Sequence, residues 1–354
     1  MDEASALAPK LAAPQHRPRP LPLFLDMLRS ETTGDPERTR RALEGLRRYQ
    51  EWPRCAAPEP MRALFEEAGA KLRDYGGGDG APVLFVPSLI NPPTVLDLAP
   101  DRSLLRWLAA QGHRILLLDW GWPNQARRSL SVAGHVESIL LPLTRRLGAP
   151  PILVGYCLGG TMALAAARPV GARAVAAIAA PWRFSGFSPD AQARLAELWT
   201  AARPTAESLG VLPMEALQSA FWSLDPARTV AKFEAFASAE GDKADEFVRL
   251  EDWANDGPPL ALAAARELFE DFFARDLPGG GAWQVAGEAA APNASDFLNI
   301  VSTVDRIVPH ESAAAAGERL DLALGHVGMV VGSRARAALW DPLSRWLSGI
   351  AANC

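Results

Sequence analysis

A cysteine stands where strand, sharp turn and helix are written in succession. Pro151-Ile152-Leu153-Val154 is an apolar run of strand length, Met162 to Ala167 favours helix, and between them lies Gly155-Tyr156-Cys157-Leu158-Gly159-Gly160-Thr161. This is the layout of a nucleophile elbow, G-x-S-x-G, with cysteine in the place of serine. The glycines at 155 and 159 have a steric task, because a strained nucleophile turn lets strand and helix pack closely only past small neighbours. A thiolate at that turn points to covalent acyl chemistry. It also points to an acyl group delivered as a thioester, since exchange between thiol and thioester is nearly balanced in energy.

A cysteine nucleophile needs a base, and the base needs a group to orient it. On an elbow of this kind the acid and the histidine follow in that chain order, each on a loop past the carboxyl end of a strand. Asp305, in Val304-Asp305-Arg306-Ile307-Val308-Pro309, follows a strand predicted over 297–301. His326, in Leu324-Gly325-His326-Val327-Gly328, follows the last predicted strand. His326 would take the proton of Cys157, and Asp305 would hold the imidazole tautomer and stabilise the imidazolium. The oxyanion needs fixed donors. The backbone N–H of Leu158 is one, and the loop after the first strand, at Leu89 or Ile90, should supply the other.

Other reactive residues read as structural. Cys55 is taken as a small buried hydrophobe. His310, close after Asp305, is a rival base, but beside Pro309 it marks a helix start. His113 falls at a strand entry and His135 in a helix. Asp119 ends a strand but precedes the nucleophile, so it reads as a loop carboxylate. Arg127-Arg128 and Arg145-Arg146 could meet the phosphates of coenzyme A, yet such pairs are more often solvated helix faces. The 3 cysteines, Cys55, Cys157 and Cys354, are odd in number and lack metal-ligand spacing, so no metal is expected.

These residues need a scaffold. The chain has 354 residues, enough for one large core or two modest ones. Its 49% hydrophobic and 22% charged content is that of a soluble globular protein. A net charge of −5 gives no footprint for nucleic acid. No apolar run reaches the length of a membrane span, and the N-terminus has no secretory pattern, so a reducing cytoplasm is expected.

Residues 1–20, rich in Ala, Pro and basic side chains, read as a disordered tail. Residues 21–80 read as a helical extension closed by Gly76-Gly77-Gly78-Asp79-Gly80, with Asp35-Pro36-Glu37 as a helix start. From Val83 strands and helices alternate: strands at 83–86, 114–118, 151–154 and 174–179, helices at 103–111 and 132–147. Continuous apolar strands with long crossovers predict a mostly parallel, doubly wound sheet. Residues 183–290 break the alternation and read as an inserted helical cap bearing Trp199, Trp222 and Trp253, a lid that opens to substrate. Strands at 297–301 and 320–324 and a closing helix over 335–350 return to the sheet. The expected fold is therefore α/β, an α/β-hydrolase core (81–182 and 291–354) with that cap.

The motifs as a set resemble the polyhydroxyalkanoate synthases. The likeness runs through Val86-Pro87-Ser88-Leu89-Ile90-Asn91-Pro92, Leu96-Asp97-Leu98-Ala99-Pro100-Asp101-Arg102-Ser103-Leu104, Asp119-Trp120-Gly121-Trp122-Pro123, the elbow, and Ala180-Pro181-Trp182-Arg183-Phe184. It continues in Phe247-Val248-Arg249-Leu250-Glu251-Asp252-Trp253, Asp256-Gly257-Pro258, Asp305-Arg306-Ile307-Val308-Pro309 and Gly325-His326-Val327-Gly328, and covers roughly residues 80–335. The overall length is similar to two-component synthases, and the elbow to the long single-subunit forms. Three departures mark a divergent branch: a short interval between Asp305 and His326, Arg306 where the family commonly has histidine, and the Ala- and Gly-rich stretch 279–292.

The resemblance implies an acyltransferase that polymerises (R)-3-hydroxyacyl-coenzyme A through Cys157 and releases coenzyme A, with no separate cofactor. It implies as partners a second synthase subunit or a homodimer, and the surface of a polyester granule. Two other readings stay open on the residues alone. One is a thioesterase or intracellular depolymerase with the same triad. The other is a silent protein associated with granules or with a true synthase, against which the intact Cys157, Asp305 and His326 argue.

Overall fold

The computed structural model describes residues 17–55, 58–294 and 296–352. The chain forms two compact units. One holds the described residues of Met1–Ala57 together with Met214–Gly257; the other holds those of Pro58–Pro213 and Pro258–Cys354.

The principal helices are α1 (Leu21–Glu31), α2 (Pro36–Glu51), α3 (Leu104–Ala110), α4 (Leu158–Ala167), α5 (Pro189–Leu209), α6 (Met214–Leu224), α7 (Pro226–Phe236), α8 (Gly241–Asn255) and α9 (Asp341–Ala352). The strands of the large sheet are β1 (Ala63–Glu67), β2 (Ala70–Gly76), β3 (Val83–Val86), β4 (Ile115–Asp119), β5 (Ile152–Tyr156), β6 (Ala174–Ile178), β7 (Phe297–Ser302) and β8 (Glu318–Leu322). Its order is β1-β2-β4-β3-β5-β6-β7-β8. β1 and β2 are antiparallel to their neighbours, and from β4 to β8 every pairing is parallel. β3, β5, β6 and β7 are buried at every position. Strands covered on both faces carry such unbroken apolar runs. α4 packs on β5 and β6, and α3 packs on β2 and β4.

The helical reading of 21–80 holds only in part. α1 and α2 are helices, and Asp35 caps α2 by accepting from Arg38 N–H at 3.0 Å. Residues 63–76, however, are the hairpin β1–β2. Ala68 and Gly69 both have positive φ, 49° and 83°, and join Glu67 directly to Ala70. That is the geometry of a tight two-residue hairpin turn. β2 then alternates, with Ala70 and Leu72 buried between the half-exposed Lys71 and Arg73.

The inserted cap read over 183–290 divides as well. α6, α7 and α8 join α1 and α2 in the helical unit, whereas α5 and the helical stretch 262–273 belong to the sheet unit. Trp199 is in the sheet unit, stacked on Phe269 with centroids 5.2 Å apart.

In the helical unit Phe24, Tyr49, Trp222, Phe233, Phe236 and Val248 form one apolar cluster. Each such side chain contributes roughly 1.5–3 kcal/mol on burial. Asp252 ties the unit together by accepting from Tyr49 OH (2.7 Å) and from Arg54 Nε (2.9 Å). Residues 1–16 of the tail read as disordered lie outside the described residues. Arg17 pairs with Asp252 and Asp256, and Arg19 N–H donates to Asn255 Oδ1 at 2.8 Å, so residues 17–19 are fastened to α8.

Candidate active site

Cys157 joins β5 to α4 with φ 56° and ψ −132°, a backbone conformation costly for a residue with a side chain. The turn is held by its own hydrogen bonds. Cys157 N–H donates to Ile178 O at 2.9 Å, and Gly160 N–H to Cys157 O at 2.8 Å. The glycines are required by distance. A Cβ on Gly159 would stand 2.1 Å from Val86 O, and one on Gly155 would stand 2.3 Å from Gly160 Cα. The cysteine is half-buried, with the start of α4 behind it. That places the positive end of a helix, and the N–H of Leu158, beside the Cys157 sulfur.

His326 and Asp305 reach the same place from the far side of the sheet order. His326 Nδ1 and Asp305 Oδ2 are 2.6 Å apart. The other carboxylate oxygen accepts from Ile307 N–H (2.8 Å) and Val308 N–H (3.1 Å), which fixes its plane. The Cys157 side chain is close enough to influence the imidazole, and Nδ1 is taken by Asp305, which leaves Nε2 for the sulfur. Burial alone would lower the His326 pKa. The neighbouring acids Asp305 and Cys157 outweigh it and push the imidazole up to about 10. The surroundings thus favour the imidazolium over the neutral ring.

Tyr156 links the two halves and was not singled out from sequence. Its hydroxyl donates to His326 O at 3.2 Å, and its ring lies 5.0 Å from the imidazole at 32°. Burial, then Cys157 and Asp305, holds the phenol well above its ordinary pKa, so it remains a neutral donor.

The loop after β3 lies against the elbow. Ile90 N–H is engaged by Ser88 Oγ at 3.0 Å. The N–H groups of Leu89 and Leu158 have no protein acceptor among the described residues. The indole of Trp120 donates to Pro87 O at 2.9 Å.

The remaining candidates fall elsewhere. His310 lies on a short helical turn with its side chain half-exposed beside Glu311. His113 meets Ser344 Oγ at 2.9 Å. His135 is buried against Ser131 O and pushed down to about 4 by that burial. Asp119 pairs with Arg73 at 2.8 Å. Cys55 is exposed rather than buried, so the reading of it as a small core residue is corrected; it follows the end of α2, outside any helix or strand. Cys354 is outside the described residues. The paired-arginine reading also changes. Arg127 is buried and donates to Trp120 O, so it is not part of a solvated face, whereas Arg128, Arg145 and Arg146 are exposed. Among the described residues no group of three or more His, Cys, Asp or Glu is placed to hold a metal. No described helix is long and apolar enough to cross a membrane.

A mostly parallel sheet with a strained cysteine turn at the end of β5, and an acid and a histidine on later loops, is the plan of the α/β hydrolases. Residues 83–341 match the alpha/beta hydrolase family, and the chain belongs to it.

Within that family the chain is similar to poly(3-hydroxyalkanoate) polymerase subunits. It is 29% identical to the subunit PhaC of Haloferax mediterranei over 313 residues, which cover 82% of this chain and 64% of that one. To the subunit PhaC of Allochromatium vinosum it is 27% identical over 318 residues, covering 82% of this chain and 88% of the relative. The chain thus spans somewhat under two thirds of the Haloferax protein's length.

Among solved structures, an epoxide hydrolase of Bacillus megaterium aligns with TM-score 0.53 at 14% identity, covering 80% of this chain and 99% of that one. An esterase of Thermogutta terrifontis aligns with TM-score 0.52 at 15% identity, covering 82% and 98%. At those identities the likeness is one of fold.

Proposed function

We propose that this protein is an acyltransferase that polymerises (R)-3-hydroxyacyl groups from coenzyme A thioesters through a covalent enzyme on Cys157. The observation that carries the reading is a cysteine in a strained elbow turn, near a buried His326–Asp305 pair, in a chain similar to polyhydroxyalkanoate polymerase subunits over 82% of its length.

His326 accepts the thiol proton, and the sulfur attacks the thioester carbonyl. The oxyanion is held by the N–H groups of Leu158 and Leu89, Ile90 N–H being spent on Ser88. Collapse of the tetrahedral adduct expels coenzyme A, whose thiolate takes the proton back from His326. The 3-hydroxyl of a second unit, or of the chain end, then gives its proton to His326 and attacks the acyl-enzyme. An ester forms and the Cys157 sulfur leaves. Asp305 balances the imidazolium in both halves. Every step uses groups of the chain and the substrate, with no separate cofactor. Growth of an insoluble polyester would keep the enzyme at the surface of a granule in the cytoplasm. The polymerase relatives are named as subunits, which supports a second subunit or a homodimer as partner.

The test is incubation with (R)-3-hydroxybutyryl-coenzyme A, alone and with a candidate partner subunit, following thiol release and the fate of the acyl group. Polymer that disappears in Cys157→Ser is the expected result. Thiol release yielding only free 3-hydroxybutyrate would make the protein a thioesterase instead. No turnover under either condition would overturn both.

A further inference from the structure

The Asp119-Trp120-Gly121-Trp122-Pro123 run takes no part in the steps above, yet Trp120 ends against the site. It is buried, and its indole Nε1–H donates to Pro87 O at 2.9 Å. Pro87 begins the turn that carries Leu89. The same backbone also packs against α4, where a Cβ on Gly159 would stand 2.5 Å from Pro87 O. Residues 86–87 are thus held by the elbow helix and one indole N–H. Trp120 is itself fixed. The buried Arg127 guanidinium donates to its carbonyl, and the His135 ring meets its indole edge-on, 5.9 Å away at 83°. His135 is held in turn by Ser131 O at 2.8 Å.

We propose that Trp120 is a positioning residue for the oxyanion hole: its indole N–H sets the peptide after β3 so that the N–H of Leu89 points at the developing oxyanion. This rests on the acyl-transfer reading. The physical reason is preorganisation. A backbone donor stabilises a transient oxyanion only if it is aimed before the charge appears. Without the indole donor, Pro87 O is a buried acceptor with no partner and the turn relaxes towards another one. Misplacement of the donor by a fraction of an ångström would weaken catalysis while leaving the sulfur and imidazole in place.

Two reactions of the same thiol separate this role from a merely structural one. Alkylation of Cys157 by iodoacetamide forms a carbon–sulfur bond and expels iodide without an oxyanion. Acylation by p-nitrophenyl acetate forms the acyl-enzyme through a tetrahedral oxyanion and expels p-nitrophenolate. In both, the thiol proton passes to His326. For Trp120→Phe, which keeps an aromatic ring, alkylation should stay within about twofold of the parent. Acylation should slow by about 10- to 100-fold, in the maximal rate more than in KM. Both reactions are run with Cys55 and Cys354 replaced by Ser, since Cys55 is exposed, and rates are taken per site counted by the p-nitrophenolate burst, so neither the other thiols nor unfolded protein counts as support. Unchanged acylation, or an equal loss in both reactions, would overturn the proposal. If the parent acylates from p-nitrophenyl acetate but not from (R)-3-hydroxybutyryl-coenzyme A, the substrate reading fails, and the comparison of the two reactions still decides the role of Trp120.

Discussion

Asp305 and His326 are 21 residues apart in the chain and 2.6 Å apart in space, joined Oδ2 to Nδ1 in a buried pair. The pair also touches Cys157, so one contact sets the tautomer, the charge and the aim of the base. Asp305→Asn keeps the shape but offers Nδ1 the wrong partner. Acyl-enzyme formation should fall by about 10³-fold or more, with the fold unchanged by circular dichroism. A fall of less than about tenfold would mean that Asp305 does not orient the base.

The raised pKa of His326 makes a prediction about pH. In the folded protein the imidazole is pushed up to about 10, against roughly 6.5 in an unfolded chain. Folding therefore favours the protonated ring. That stabilisation is complete below about pH 6.5 and is lost as pH rises through about 10. The difference in unfolding free energy between the parent and His326→Gln should accordingly be larger at pH 6 than at pH 10.5. Denaturant melts at the two pH values measure it, and an equal difference at both would contradict the assigned direction.

The contact between Gly159 and the end of β3 is sterically closed. Gly159→Ala would place a Cβ 2.1 Å from Val86 O, and backbone cannot yield as a flexible side chain can. A cost of about 3 kcal/mol is expected, with loss of acylation because the Leu89 turn is pushed away. Thermal melting and the acylation burst test this together. A variant with parental melting temperature and burst would show that the elbow packs less tightly than described.

Tyr156→Phe removes only the hydroxyl that meets His326 O at 3.2 Å. The ring that lies along the imidazole stays. A stability loss of about 1 kcal/mol is expected, with acylation slowed several-fold rather than abolished. A loss of activity as deep as that of Asp305→Asn would instead place the phenol in the chemistry.

The helical unit depends on Asp252, which gathers Tyr49, Arg54 and Arg17. Asp252→Ala leaves those donors without their carboxylate. A loss of about 2–3 kcal/mol is expected, confined to this unit. Hydrogen exchange should then quicken in 17–55 and 214–257 and stay unchanged in β3 to β7.

Legibility followed the range of the physical cause. The elbow was readable because its demands are local: a strained residue between strand and helix, with glycines where backbones touch. The parallel strands were readable because burial on both faces leaves only apolar residues to write them. The hairpin β1–β2 was missed because it is half-buried and carries Lys71, Arg73 and Glu66 on its open positions. Ala68-Gly69, a turn pair with positive φ, was the signal that could have found it. Residues 183–290 read as a single insertion because helical periodicity reports that a face is apolar and not which neighbour covers it.

The chemistry on offer is legible in the order of residues alone: a thiol in a turn that only glycine neighbours allow, and an acid and a histidine on later loops. These follow from covalent geometry and from the apolar runs that build a sheet. Which distant segments meet is settled by packing. It gave Asp305 to His326, the Tyr156 hydroxyl to the His326 carbonyl, the Trp120 indole to Pro87, and Asp252 of α8 to residues at the start of the chain. Each of those bonds joins segments that share no local pattern. They form because strand order and packing bring buried donors to the acceptors that would otherwise lose their hydrogen bonds to water.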